Sequence, residues 1–210
     1  MTRVLIVEDD PMARQLLEIC IRQSGRYELV PSVESAAFTE LCCRTNPMDL
    51  ILMDVCTALH ANGIDAAEKI KQSFPNIKII IITGLADCSF IDRARNAGVD
   101  SFWYKSAPAE SILEIMERTL EGESIYPDTT PSMQLGNITS KSLTDRELEV
   151  LRQVVEGETD AAIAEKLHIS LRTVKTHIQS MRGKTGFRNR TELAVHARDC
   201  GLIINNKTME

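Results

Sequence analysis

The chain of 210 residues has no apolar stretch approaching the length that crosses a membrane, and its first apolar run is short and ends in acids. Neither a transmembrane span nor a signal peptide is expected. The six cysteines, Cys20, Cys42, Cys43, Cys56, Cys88 and Cys200, show no metal-type spacing and no regular framework. Without an export signal they read as reduced thiols in a cytoplasmic protein. One segment lacks acids altogether. Residues 166–190 carry Lys166, Arg172, Lys175, Arg182, Lys184, Arg188 and Arg190 with no Asp or Glu, in a chain whose net charge is −6. A local basic run in an acidic protein points to a polyanion partner at one place, against the plainer reading of a solvated helix face.

With an apolar fraction of 43% and a charged fraction of 26%, the composition is that of an ordinary globular protein. The stretch "RVLIVEDD", residues 3–10, runs a short buried-strand pattern into Glu8, Asp9 and Asp10. Further strand patterns fall at 28–30, 50–53, 78–82 and 101–104. Helical patterns fall near 11–23, 34–45, 64–74, 87–97 and 108–121. Five strands alternating with five helices predict a doubly wound α/β fold, a five-stranded parallel sheet with helices on both faces. Residues 122–142 gain Pro, Gly, Ser and Thr and lose periodicity, as a linker does. Four helices and no strand are expected after it. The first opens on the capping box of Thr144 and Glu147 and stops at Gly157; the second runs from about Asp160 to Leu167. The third follows Ser170 to about Lys184, and the fourth follows Asn189 and stops at Gly201.

Functional groups of an open parallel sheet collect at the carboxyl ends of its strands. Those ends deliver Glu8, Asp9 and Asp10, then Asp54, Thr83 and Lys105. Taken singly, each is readily a turn residue or a surface charge. Taken together they describe a pocket where like charges crowd, and a hard divalent cation with oxygen ligands relieves the repulsion; Mg²⁺ fits.

On these residues, roughly 1–121 resemble a CheY-like receiver domain of two-component response regulators. The acidic pair Glu8 and Asp9, Asp54 in "DLILMD", Thr83 in "IIIITG" and Lys105 in "FWYK" carry the likeness. The resemblance implies that Asp54 takes a phosphoryl group from a phosphohistidine on a sensor histidine kinase. Mg²⁺ would be held by Asp9, Asp54, the carbonyl of Cys56 and, through water, Glu8. Lys105 would pair with a phosphoryl oxygen and Thr83 with another, and Phe102 would be the aromatic that swings into the space Thr83 leaves.

In the third C-terminal helix Leu171, Val174, Ile178 and Met181 recur at core spacing, with Arg172, Lys175, Thr176, Gln179 and Arg182 on the other side. A helix and a short turn precede it, the order of a helix-turn-helix. An amphipathic helix in a protein-binding bundle has the same pattern. "IAEKLHISLRTVKTHI" resembles the LuxR/NarL-type helix-turn-helix, over residues 143 to about 203. The resemblance implies base readers at Lys175, Thr176 and Gln179, and phosphate contacts at Arg172 and Thr173. His177 divides evenly between a phosphate contact and helix packing. Thr185, where the family has a core Leu, is expected to loosen the last turn.

The chain thus reads as a receiver domain (1–121), a linker (122–142) and a DNA-binding domain (143–210). It is expected to be a response regulator of the NarL/FixJ class, not an enzyme, that binds promoter DNA as a homodimer on phosphorylation and touches no membrane. Two other classes stay open. One is a transcription factor with an atypical receiver that works without phosphorylation. The other is an Mg²⁺-dependent phosphohydrolase, disfavoured because Cys56 stands where turnover would want a second acid. Receivers usually have Met-Pro after the acceptor, and here "DVCTALHANG" has Thr57 and Ala58, with Gly63 one residue later than usual. A loop that is mobile without ligand, a weaker Mg²⁺ site, and His60 and Asn62 beside the pocket are expected. The alternative is an extra residue that bulges outward and leaves Cys56 in place.

Overall fold

A computed structural model describes residues 1–87, 89–105, 112–128 and 130–203. The chain divides into two compact units near residues 129 and 130. No helix among the described residues is long and apolar enough to cross a membrane.

The first unit holds β1 (Thr2–Val7), α1 (Pro11–Ser24), β2 (Tyr27–Leu29), α2 (Thr39–Thr45), β3 (Leu50–Asp54), β4 (Cys56–Thr57), β5 (Ala61–Asn62) and α3 (Gly63–Ser73). It continues with β6 (Lys78–Thr83), α4 (Ser89–Asn96), β7 (Ser101–Tyr104) and α5 (Ile112–Leu120). Five strands form one parallel sheet in the order β2-β1-β3-β6-β7. Val4–Val7 and every residue of β3 are buried, which is why these strands read as unbroken apolar runs: both faces of the sheet are covered. The strand order reverses between β1 and β3, and the crevice at such a reversal is where open α/β sheets bind ligands. Val7 pairs with Met53, so Glu8 emerges beside Asp54; Thr83 pairs with Tyr104, so Lys105 follows alongside.

The expected helix at 34–45 is a single 3₁₀ turn, Ala36–Phe38, followed by the seven-residue α2. The start of the pattern at 108–121 lies outside the described residues, as does Cys88 of the pattern at 87–97.

The loop after Asp54 differs from expectation. It forms the β4–β5 hairpin, with Cys56 opposite Asn62 and Thr57 opposite Ala61. The Thr57 hydroxyl donates to the Ala61 carbonyl (2.8 Å) and accepts from the Ala36 N–H (2.9 Å). Ala58 donates its N–H to the Glu34 carbonyl (3.0 Å), and its own carbonyl accepts from the Ser35 hydroxyl (2.6 Å). These bonds supply the restraint that a proline would have given. The longer loop turns at Leu59, whose φ of 61° is left-handed and whose side chain is exposed. The Asn62 side chain does not serve the pocket: it caps α3 by accepting from Ile64 and Asp65 N–H. The side chain of His60 lies outside the described residues.

The stretch 122–142 is ordered at both ends. Ile125 lies along β7, accepting from the Phe102 N–H (2.8 Å). In the second unit, β8 (Gln134–Leu135) and β9 (Ile138–Thr139) make a hairpin whose Asn137 N–H donates to the Thr185 carbonyl (3.0 Å). Four helices follow: α6 (Asp145–Val155), α7 (Asp160–Lys166), α8 (Leu171–Thr185) and α9 (Arg190–Asp199). Their shared core includes Leu135, Val150, Leu151, Val154, Ile163, Val174, Met181 and Leu193.

Gly63 is fixed by space. A Cβ there would lie 1.9 Å from the Asp54 carbonyl oxygen and 2.8 Å from Met53 Cγ, and its N–H already donates to the Val55 carbonyl (2.8 Å). Gly63→Ala is expected to displace α3 from the end of β3 and to cost roughly 2–3 kcal/mol, within the range of overpacking. Urea unfolding measures it, and a loss below about 0.5 kcal/mol would contradict the contact.

Candidate functional site

The three acids after β1 go to three different places. Asp10 is the N-cap of α1, its carboxylate accepting from Met12 N–H (2.8 Å) and Ala13 N–H (3.3 Å). Pro11 at the first helical position needs no such partner. Glu8 is fully buried, while Asp9 stays exposed. Glu8 Oε2 takes a hydrogen bond from Lys105 Nζ (2.5 Å) and Oε1 takes one from the Asp10 N–H (3.3 Å).

Asp54 closes β3 and is 8% exposed. Its Oδ1 accepts from the Val55 N–H (2.7 Å) and its Oδ2 from Lys105 Nζ (3.0 Å). One ammonium therefore bridges two buried carboxylates. An oxygen from each of Glu8, Asp9 and Asp54 lies within 4.8 Å of the others, an all-oxygen set of the kind hard divalent cations use. Thr83 is buried at the end of β6, where its carbonyl accepts from the Lys105 N–H (2.8 Å). Phe102 is buried on β7 and packs edge-on to Tyr104, with ring centroids 5.0 Å apart. Cys56 opens β4, half-buried.

Burial pushes the Glu8 carboxyl up to about 7, helped by the negative charge of Asp54 and opposed by Lys105. Burial also raises Asp54, against the pull of Lys105 and of the Val55 N–H. Burial would lower Lys105, but Asp54 and Glu8 outweigh it and hold the ammonium above its ordinary range. The pocket is short of positive charge: two carboxylates share one cation, and each resists ionisation.

In the second unit α8 begins at the N-cap Ser170, whose hydroxyl accepts from the Thr173 N–H (3.0 Å), and ends at Gly186 in the left-handed region. Val174, Ile178 and Met181 are buried as expected, but Leu171 is 43% exposed. As the first helical residue it lies ahead of the turn that meets the core, and the buried stripe extends the other way to Thr185. Thr185 does not loosen the last turn. Its hydroxyl donates to the Met181 carbonyl (2.8 Å), and its own carbonyl holds the β8–β9 hairpin.

Arg172, Lys175, Thr176 and Gln179 form an exposed stripe. Thr173 is half-buried with its hydroxyl against that of Ser170 (2.8 Å), and His177 is half-buried. The Thr176 hydroxyl donates back to the Arg172 carbonyl (2.9 Å). The basic run is less available than its count implies. Lys166 pairs with Glu158 (2.8 Å), Lys184 with Glu147 (2.7 Å) and Arg190 with Asp160 (2.5 Å), while Arg182 donates to the Arg188 carbonyl. Arg172, Lys175 and Arg188 have no ion pair among the described residues.

Sequence reading missed the reach of Glu147. It was visible as a capping-box acid at the start of α6, and it is that, accepting from the Thr144 N–H (2.9 Å). The same buried carboxylate also accepts from the Ser180 hydroxyl (2.8 Å) and Lys184 (2.7 Å), both on α8. One side chain thus ties α6 to the helix that carries the exposed stripe.

Two family models match the sequence: the response regulator receiver domain over residues 4–117 and the luxR family of bacterial regulatory proteins over residues 141–197. The response regulator protein VraR of Staphylococcus aureus is 29% identical over 208 residues, covering 96% of this chain and 98% of its own. Among solved structures, RcsB from Salmonella enterica serovar Typhimurium bound to promoter rprA superposes with a TM-score of 0.61 at 20% identity, over 93% of this chain and 98% of that one. A LuxR-family two-component response regulator from Aurantimonas sp. has a TM-score of 0.56 at 25% identity, over 60% of this chain and 89% of that one.

Burial alone would raise Glu147, but Lys184, the Thr144 N–H and Ser180 outweigh it and hold the carboxyl down to about 2. A depressed carboxyl stabilises the folded state above its unfolded pKa, so this contribution is present above pH ~4.5 and fades as pH falls toward 2. Glu147→Gln is expected to destabilise the second unit by roughly 1–3 kcal/mol at pH 7 and to flatten the acid limb below pH ~4.5. Thermal melts from pH 7 to 3 check this; an acid limb identical to that of the parent would refute the assignment.

Proposed function

The chain belongs to the response regulators, with a receiver domain followed by a LuxR-family DNA-binding domain, and from that membership we propose Asp54 as its phospho-acceptor and α8 as its DNA-reading helix. Phosphorylation on aspartate is the general mechanism of this family of transcription regulators, which are not enzymes. The observation that carries the reading is the buried Asp54 carboxylate, 3.0 Å from Lys105 Nζ and grouped with oxygens of Glu8 and Asp9.

An Asp54 carboxylate oxygen attacks the phosphorus of a phosphohistidine on a sensor histidine kinase, and the P–N bond breaks as the aspartyl phosphate forms. Such a transfer asks for alignment and for neutralisation of the phosphoryl oxygens. Lys105 already stands against Asp54 and meets a phosphoryl oxygen there. Asp9, Asp54, the Cys56 carbonyl and, through water, Glu8 would hold Mg²⁺, which would supply positive charge against the crowded carboxylates and the phosphoryl oxygens. Thr83 hydrogen-bonds a second phosphoryl oxygen, and Phe102 turns toward the space it vacates. The residues that would hold the ion suit it: oxygen donors only, two of them buried and resisting ionisation for want of positive charge.

The signal ends at DNA. Lys175, Thr176 and Gln179 read base edges, and Arg172 and Thr173 position α8 on phosphates, with His177 beside them. Two phosphorylated copies bind one promoter, and the regulator acts in the cytoplasm.

Asp54→Ala is expected to abolish phosphoryl uptake from acetyl phosphate while leaving the fold intact. Phos-tag electrophoresis with and without Mg²⁺ reads this, and uptake at the parent level by the variant would sink the assignment. On DNA, with three of the seven basic side chains paired with acids, binding is expected to follow salt with a slope of about −4 per protomer, not about −6. Lys175→Ala should cost about 1–3 kcal/mol on the specific site and relax its preference; an equal loss on random DNA would make Lys175 a phosphate contact.

A further inference from the structure

The segment that leaves the receiver is fastened to the strand that carries the switch aromatic. Ser124 Oγ donates to the Asp100 carbonyl (2.7 Å), the Ile125 N–H to Ser101 Oγ (3.1 Å), and the Tyr126 hydroxyl to the Val99 carbonyl (2.7 Å). In return the Phe102 N–H donates to the Ile125 carbonyl (2.8 Å). The Tyr126 ring stacks on Phe102 with centroids 6.3 Å apart and planes 27° apart, and the Arg95 guanidinium of α4 lies 4.4 Å from its centroid. Every one of these ties except Arg95 ends on β7 or on the turn before it. Phe102 itself is touched twice, by ring and by backbone. Its ring cannot turn inward and keep its place against Tyr126.

We propose that residues 124–126 are a latch closed by Tyr126 on Phe102, and that phosphorylation opens it by withdrawing the Phe102 ring. The chain leading to the DNA-binding domain is then released from β7. The device rests on the reading of Asp54 and Phe102 given above and adds to it where the movement goes. Arg95 belongs to it as a positioning residue: its charge over the Tyr126 ring holds that ring in place beside Phe102.

The Phe102 and Ile125 amides are the two backbone reporters of the closed latch, and hydrogen exchange in the full-length chain tests it. Exchange is followed before and after acetyl phosphate with Mg²⁺, and Phos-tag electrophoresis measures the phosphorylated fraction of the same sample. Both amides are expected to exchange roughly two- to tenfold faster in the phosphorylated chain, the range that one aromatic pair commands, while Leu52 on β3 is unchanged. Tyr126→Ala is expected to show the faster exchange without acetyl phosphate and to gain little on its addition. Tyr126→Phe, which loses only the hydroxyl, keeps most of the response. If Tyr126→Ala also exposes Leu52, Tyr126→Leu replaces it, keeping bulk without the ring. A phosphorylated chain whose Phe102 and Ile125 amides exchange as before overturns the latch and leaves the Asp54 reading standing. A parent chain that takes up no phosphoryl group overturns both.

Discussion

Two carboxylates lie side by side at the end of the sheet because the strand register leaves them no alternative, and Lys105 is what lets them stay there. Glu8 leaves β1 next to the residue that ends β3, and both are sealed from water by the layers that make the sheet stable. Removing either charge from water costs several kcal/mol, and placing like charges together adds to it. A single ammonium bonded to both offsets part of that cost. The pocket's readiness to accept more positive charge follows from what Lys105 leaves uncompensated. The hairpin after Asp54, the glycine beneath it and the helix cap at Asp10 all serve to hold this arrangement still.

The second unit solves a related problem in the opposite sense. Glu147 is also buried, but it meets a backbone N–H, a hydroxyl and an ammonium, and is satisfied. Its carboxyl is held low where Glu8 is pushed high. The difference separates a group that fixes structure from groups left open to chemistry. In the first unit burial outruns pairing; in the second, pairing outruns burial.

The sheet and most of its helices were legible because strands covered on both faces must be apolar throughout and helix ends announce themselves in Pro11, Thr144 and Gly157. The pocket was legible because parallel strands deliver their last residues to one edge. What was hidden depended on partners distant in sequence. Counting the basic residues between 166 and 190 gives the charge but not that Lys184, Lys166 and Arg190 are already paired with acids of the same unit. The missing Met-Pro predicted a loose loop. The bonds that the loop makes go to Ser35, Ala36 and Glu34, which no local pattern links to Thr57 and Ala58. Leu171 fitted the apolar spacing of α8 but sits one turn too early to reach the core. Residues 122–142 looked featureless because their order comes from a few single contacts, not from a repeating pattern.

β7 is the outermost strand of its sheet. An uncovered outer strand offers its unpaired N–H and C=O groups to any extended chain that comes near, and folded proteins normally blunt such margins. Residues 124–126 do that here, with the Ile125 carbonyl occupying the Phe102 N–H and the Ser101 side chain engaged as well. The segment therefore shields the molecule from sheet extension for as long as it lies in place. A conformation that lifts it presents a naked margin to other copies of the chain, so the same few bonds that tether the exit from the receiver also guard its solubility.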